Sequence, residues 1–364
     1  MAPWLVLSNS LGTTSDMWEP QMSMLRARFR VVRYEHRGHG GTVAPPHAFS
    51  VEDLGSDMLD VLDAVGADRA NLVGLSLGGT VAMWLAANHP ERVDKLVVAA
   101  SKACWPPSQA WQDRSDLVRS EGTLALLDTL LGRWFTAPFA GGRPELRSKV
   151  AAMLGSADPE GYAGCCGALG EVDLREDLSA IQAATLVLVG GTDPAVSIAD
   201  AVDLAEAIPG SSLQVISPAA HLLNVEQPER FTAAVIDHIA GSVLERGSRT
   251  RREVLGDAHV DRAESAATTL GGPFSDFITR YAWGDIWTRP GIDRRTRSFI
   301  TVAILVALGR LEELELHLVA ARRNGLTDDE ITEVLLHAAI YAGVPAANSA
   351  FAVARRVLGG GGDR

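Results

Sequence analysis

The sequence predicts an α/β architecture, a doubly wound parallel sheet with a helical cap, followed by an all-α domain. Three observations predict it. Strand-like and helix-like runs alternate over the first hundred residues, the strand signal returns near residue 184 after an irregular stretch, and it does not return after about residue 242. At 364 residues the chain is about twice ordinary single-domain size, so two domains are expected.

In chain order, WLVLSNS, RVVRYEH, ANLVGLS and DKLVVAAS read as strands, with helices over 51–66 and 78–88 between them. From Trp105 to about Ala180 the chain becomes helical and irregular, rich in Gly, Pro and Trp, as an inserted cap would be. The strands resume at ATLVLVGG and SSLQVIS. After AAVIDHIAGSV, the charged and Gly/Ser-containing LERGSRTRREVLG reads as a junction. The expected division is therefore a first domain over 1–241 with its cap at about 105–180, a linker at 242–248 and a helical domain over 249–364. Helical spacing runs over 294–308, 312–324 and 328–341, and RNGLTDDE reads as a helix stop followed by a Thr N-cap and an acidic first turn. GGGGDR reads as a frayed tail.

Hydrophobic residues make up 47% and charged residues 21%, the balance of an ordinary globular chain. A net charge of -12 argues against non-specific partners such as nucleic acid or an anionic membrane. Cys104, Cys165 and Cys166 form neither a disulfide framework nor a zinc spacing, which fits a reducing cytoplasm. MAPWLVLSNS does not have the form of a signal peptide, and the longest apolar run, 299–309, is shorter than the ~18 residues of a membrane span. No metal, cofactor or membrane segment is expected.

VGLSLGG places Gly74, Ser76 and Gly78 in a G-x-S-x-G pattern between a strand and a helix. That sharp turn exposes the serine hydroxyl at the sheet's C-terminal edge, and the flanking glycines relieve its crowding. Asp193 follows one later strand and His221 the next, giving the order Ser, Asp, His. In such a set His221 takes the proton of Ser76 while Asp193 fixes its tautomer. The oxyanion hole is expected from the backbone N–H groups of Leu11 and Leu77. His36 and His39 have no third ligand nearby, so a turn role is expected of them rather than a metal site.

With LSNSLGTTSDMWEPQ, YEHRGHGGT and GLSLGG, the first ~240 residues resemble the α/β-hydrolase family, and within it the 3-oxoadipate enol-lactonases. Relatives start with a strand hairpin that precedes the first strand here, which implies an unusual sheet edge or a truncated start. The enol-lactone of that family carries an acetate arm, so Arg133, beside Trp134 in the cap, is expected to bind it bidentately. The alternative is a solvated cap arginine next to a core tryptophan.

Glu313 and His317 lie one helical turn apart on one face, with Arg310 two turns back from the histidine. Spacing alone would make Glu313 and His317 an ordinary surface pair. REVLGDAHVDRA, FITRYAWGDIWTRPGIDRRTRS and LLHAAIYAGVPAANSAF, however, resemble the carboxymuconolactone decarboxylase family. That family is related to alkylhydroperoxidases, whose helix carries C-x-x-C-x-x-x-H; here the cysteine positions hold Arg310 and Glu313, so thiol chemistry is excluded at this site.

The resemblance implies His317 as proton donor, Glu313 as its orienting partner, and Arg297, Arg310 and His337 as substrate-binding or relay groups. Trp283, Trp287 and Tyr281 are expected mainly to pack. Together the two resemblances imply consecutive steps on small lactone carboxylates, without a cofactor, in a homo-oligomer assembled through the helical domain. The competing expectation is a serine esterase or lactonase whose helical domain is a silent assembly module.

Overall fold

The computed structural model describes residues 2–105, 109–265, 271–289 and 291–359. The tail at 360–364 lies outside them. The chain divides into two compact units, Met1–Ile239 and Ala240–Arg364.

In the first unit six strands form one parallel sheet: β1 Trp4–Ser8, β2 Arg30–Arg33, β3 Ala70–Leu75, β4 Val93–Ala99, β5 Ala184–Gly190 and β6 Ser212–Ile216. Their order is β2-β1-β3-β4-β5-β6. β3 is buried at all six residues and β4 at its last four, which accounts for their continuous apolar runs, because a parallel sheet is covered on both faces. The chain runs outward from β1 to β2 and then returns to β3 on the other side of β1. This reversal makes β1 and β3 neighbours at a switch point, with Ser8 opposite Gly74. Ligands of open α/β sheets bind at the carboxyl ends of strands at such a point.

Between β4 and β5 lie the cap helices Gln109–Glu121, Leu127–Trp134, Ala137–Ala140, Pro144–Gly155 and Pro159–Glu171. An antiparallel bridge between Cys104 and Asp173, with Leu174 N–H donating to Ala103 O at 2.9 Å, closes the base of the insertion.

The second unit has no strand among its described residues. Its helices are Val243–Leu255, Asp257–Ser265, Gly272–Ile278, Arg294–Ala307, Leu311–Arg323, Asp328–Ala342 and Val344–Leu358, with a π-helical stretch at Thr279–Ile286. The segment 242–248, expected as a linker, is instead the cap and first turns of Val243–Leu255. A reciprocal capping box explains the difference: Ser242 Oγ accepts from Glu245 N–H at 3.2 Å, and the Glu245 carboxylate accepts from Ser242 N–H at 2.7 Å. Gly247 is needed there for close approach, since a Cβ would stand 2.0 Å from Thr279 O of the π-helical stretch.

Helix Leu311–Arg323 organises this unit. Leu314, Leu318 and Ala321 enter a core with Val302, Val306, Leu335 and Ala350, while Leu316 and Ala320 pack with Val254, Val260 and Trp283. The following helix starts on Thr327, whose Oγ1 accepts from Glu330 N–H at 3.2 Å while Glu330 Oε2 accepts from Thr327 N–H at 2.9 Å. Replacing Thr327 by Ala removes half of that box. It should lower the stability of the helical unit by ~1 kcal/mol, seen as an earlier urea midpoint in far-UV circular dichroism. An unchanged midpoint would show that the cap contributes nothing.

Candidate active sites

In the first unit, Ser76 stands between β3 and helix Leu77–Asn88 with φ 56° and ψ -117°, an unfavourable conformation for a residue with a Cβ. The surroundings hold it there. Ser76 N–H donates to Ala99 O at 2.9 Å, and its own carbonyl accepts from Gly79 N–H at 2.9 Å and from Ser101 Oγ at 2.7 Å. Gly78 N–H donates to Asn9 O at 2.9 Å, and a Cβ on Gly78 would lie 2.2 Å from Ser8 O. Only glycine lets the helix start this close to β1.

Asp193 follows β5 and is buried. Its Oδ1 accepts from the N–H groups of Ala195 at 2.8 Å and Val196 at 3.2 Å, and its Oδ2 lies 2.8 Å from His221 Nδ1. With the carboxylate as acceptor, His221 Nδ1 carries the proton and Nε2 is left as the acceptor. Ser76 and His221 open onto one cavity of about 270 Å³, which Leu11, Arg133 and Trp134 also line. The N–H groups of Leu11 and Leu77 donate to no protein acceptor among the described residues. The structure thus gathers Ser76, His221, Leu11, Arg133 and Trp134 around one space, with Asp193 behind the histidine.

His36 and His39 brace the loop after β1. Gly12 N–H donates to His39 Nε2 at 3.1 Å, and His36 Nε2 donates to Asn9 O at 3.0 Å. Burial pushes the pKa of His36 down to about 3 and lowers that of His39, so both rings stay neutral and His39 remains an acceptor.

In the second unit, His317 is half-buried on helix Leu311–Arg323. Burial lowers its pKa, the nearby His259 adds to that shift, and Glu313 opposes it from an exposed position one turn back. Arg310 stands at the start of the same helix. The preceding helix closes with Gly309 at φ 64°, Gly309 N–H on Val306 O at 3.1 Å and Arg310 N–H on Leu305 O at 2.9 Å. After this glycine stop Arg310 is the exposed N-cap of helix Leu311–Arg323, with ψ 77° and its carbonyl accepting from Leu314 N–H at 2.9 Å. Arg297 is half-buried, donates to Arg289 O at 2.9 Å and leaves its buried Nε without a partner among the described residues. His337 is exposed, its ring 5.0 Å from that of Tyr341. The Trp283 and Trp287 rings are 5.0 Å apart within the core of this unit, whereas Tyr281 is exposed.

Residues 3–228 match the family described as alpha/beta hydrolase fold, and residues 273–356 match the carboxymuconolactone decarboxylase family. The chain belongs to the α/β-hydrolase family. Its C-terminal part is a carboxymuconolactone decarboxylase family domain, so one chain fuses the two. The hydrolase part is 40% identical over 233 residues to 3-oxoadipate enol-lactonase 2 of Acinetobacter baylyi, spanning 64% of this chain and 87% of that protein. The helical part is 47% identical over 113 residues to 4-carboxymuconolactone decarboxylase of the same organism, spanning 31% of this chain and 84% of that protein. A crystal structure of the enol-lactonase from Burkholderia xenovorans LB400 aligns with a TM-score of 0.64 at 38% identity, over 66% of this chain and 92% of that one.

Sequence reasoning missed three groups in this fused hydrolase. Glu226 is buried, and its carboxylate accepts from Ala220 N–H at 3.1 Å, Thr136 N–H at 3.2 Å and the Thr136 hydroxyl, while Leu222 N–H donates to Trp134 O at 3.0 Å. It latches the cap segment 134–136 to the loop that carries His221. No spacing in the sequence announces this contact. Arg114 lines the cavity, and nothing in its local sequence marks it out from the other arginines of the cap. His259 lies within REVLGDAHVDRA, more than fifty residues before His317, so no local spacing links the two.

Asp193→Asn should lower kcat on ester substrates by ~10³–10⁴-fold with little change in KM, because the histidine loses its tautomer while the cavity is kept. Steady-state kinetics on a folded variant check this, and a loss below tenfold would remove Asp193 from the set.

Proposed function

We propose that the chain is a bifunctional enzyme of the protocatechuate branch of the 3-oxoadipate pathway. The helical domain decarboxylates 4-carboxymuconolactone to 3-oxoadipate enol-lactone, and the hydrolase domain hydrolyses that lactone to 3-oxoadipate. One observation carries this reading: each part is similar, over more than four fifths of the relative's length, to an enzyme named for one of two reactions whose product and substrate coincide.

In the hydrolase domain, Ser76 attacks the lactone carbonyl as His221 accepts its proton, and Asp193 stabilises the resulting imidazolium. The free N–H groups of Leu11 and Leu77 face the oxyanion. Arg133, beside Trp134, supplies positive charge for the acetate arm.

In the helical domain, the departing carboxylate of the substrate is conjugated through the ring to the lactone carbonyl. The electrons left by CO2 therefore flow into that carbonyl, and the protein has to hold the anion and protonate a ring carbon. His317 is the proton donor and Glu313 favours its charged form; Arg297 and His337 remain candidates for substrate binding, Arg310 a weaker one. A lowered pKa leaves His317 mainly neutral at pH 7 in the empty site, and the substrate's carboxylates draw it towards the cation on binding.

The helical domain also exposes large apolar side chains, with Ile340 78% and Tyr341 80% accessible and Leu308 and Val344 beside them in exposure. These faces support homo-oligomer assembly through this domain. The free thiols of Cys104, Cys165 and Cys166 support a cytoplasmic location. No helix among the described residues is long and apolar enough to cross a membrane.

The test is a product assay on freshly made 4-carboxymuconolactone. Wild type should release CO2 and 3-oxoadipate, Ser76→Ala should release CO2 and accumulate the enol-lactone, and His317→Ala should lose decarboxylation while still hydrolysing added enol-lactone. A folded wild type that releases no CO2 would leave a lactonase with a silent helical domain.

The pH dependence gives a second check. Because the proton-donating form of His317 becomes populated only as pH falls below 6.5, kcat/KM for decarboxylation should rise as pH drops from 8 towards 6. That limb should vanish in His317→Gln, and a wild-type profile falling in this direction would exclude the imidazolium as donor.

A further inference from the structure

The catalytic cavity contains a second guanidinium. Arg114, on cap helix Gln109–Glu121, lines the same space of about 270 Å³ as Ser76, His221 and Arg133. It lies 5.0 Å from the centroid of the Trp111 ring, whose face favours a cation and limits the side chain's freedom. Two other cap arginines are paired with carboxylates, Arg119 with Glu160 and Arg147 with Asp128, while Arg143 lies over the Phe139 ring. Arg114 and Arg133 form no ion pair among the described residues. The neutral Tyr162 hydroxyl, fully buried, is the polar neighbour that Arg114 has on the cap side, and it carries no charge to balance the guanidinium.

Two cations sharing one small cavity repel each other. Burial, and then the charge of Arg114, lowers the pKa of Arg133, while Asp193 acts in the opposite sense. In a chain of net charge -12 this concentration of positive charge is no consequence of composition. It costs stability in the empty site, and a ligand carrying two negative groups offsets both charges.

The enol-lactone reaction generates such a ligand. Ser76 Oγ bonds to the acyl carbon as its proton passes to His221. Collapse of the tetrahedral oxyanion breaks the bond to the ring oxygen, and the electron pair stays on that oxygen as an enolate. A single methylene separates the carbon bearing the enolate from the carboxylate of the arm, so two negative groups lie side by side. The proton held by His221 then neutralises the enolate as it becomes a ketone, and water repeats the acyl transfer to free the acid.

We propose that Arg114 and Arg133 form a two-cation clamp on this leaving group, in which Arg114 anchors the arm carboxylate and Arg133 spans from that carboxylate to the ring oxygen where charge gathers. The proposal rests on the lactonase reading above and adds Arg114 as a substrate-binding residue. The clamp makes the cavity specific for enol esters with an adjacent carboxylate, and it strengthens as the lactone opens because the second charge exists only then.

The test uses the full chain and two substrates, the enol-lactone as free acid and as the methyl ester of its arm, with kcat/KM measured for each. Wild type should prefer the acid. Arg114→Gln should reduce the acid-to-ester preference by ~10–100-fold, the range of a lost charge-assisted hydrogen bond, Arg114→Lys should restore part of it, and the losses in Arg114→Gln and Arg133→Gln should be non-additive in the double variant. A preference unchanged in Arg114→Gln, or an equal fall on both substrates, overturns the clamp while leaving the lactonase intact. Failure of wild type to hydrolyse either substrate overturns the lactonase reading, and the clamp's assignment to this leaving group with it.

Discussion

The approach of β1 to the start of helix Leu77–Asn88 is the constraint on which the catalytic half depends. Ser8 lies opposite Gly74 in the sheet, and Gly78 can begin the helix only because it has no Cβ to meet the Ser8 carbonyl. That close passage forces Ser76 into its unfavourable turn, and hydrogen bonds from Gly79 and Ser101 to its carbonyl hold it there. The same passage brings the loop after β1, and with it Leu11, to the cavity that contains Ser76. Nucleophile and oxyanion donors thus have one origin, the switch point between two adjacent parallel strands.

The cap is attached to this centre at two places. The bridge between Cys104 and Asp173 closes its base, and buried Glu226 joins Thr136 to the backbone just before His221. The second attachment means that the cap side chains and the catalytic histidine are positioned by one network. A buried carboxylate with several hydrogen bonds is an effective latch, since removing any donor would leave charge unsatisfied away from water. The arginines facing the cavity can then remain unpaired, because their helices are held by contacts elsewhere.

The helical half uses a different device. Helix Leu311–Arg323 is gripped on two faces by separate apolar clusters, and His317 lies between them, sheltered enough to lose part of its hydration. Its electrostatics come from two sources: Glu313, one turn back on the same helix, and His259, on a helix distant in sequence. The first was visible from spacing. The second required the packing of Val260 against Ala320, which brings the helices together.

The sequence by itself determined what depends on local pattern. Apolar runs of strand length set β1 to β6, the Thr327 to Glu330 box set a helix start, and glycines around Ser76 announced a turn, because these preferences act over a few residues. The order Ser76, Asp193, His221 was equally legible, since each follows the end of a strand. Tertiary structure decided where local signals were ambiguous or silent. A charged Gly/Ser stretch at 242–248 became helix once Ser242 and Glu245 capped each other. Glu226, Arg114 and His259 acquired significance only through neighbours distant along the chain, because the field and burial that give a polar side chain its function are properties of the assembled fold.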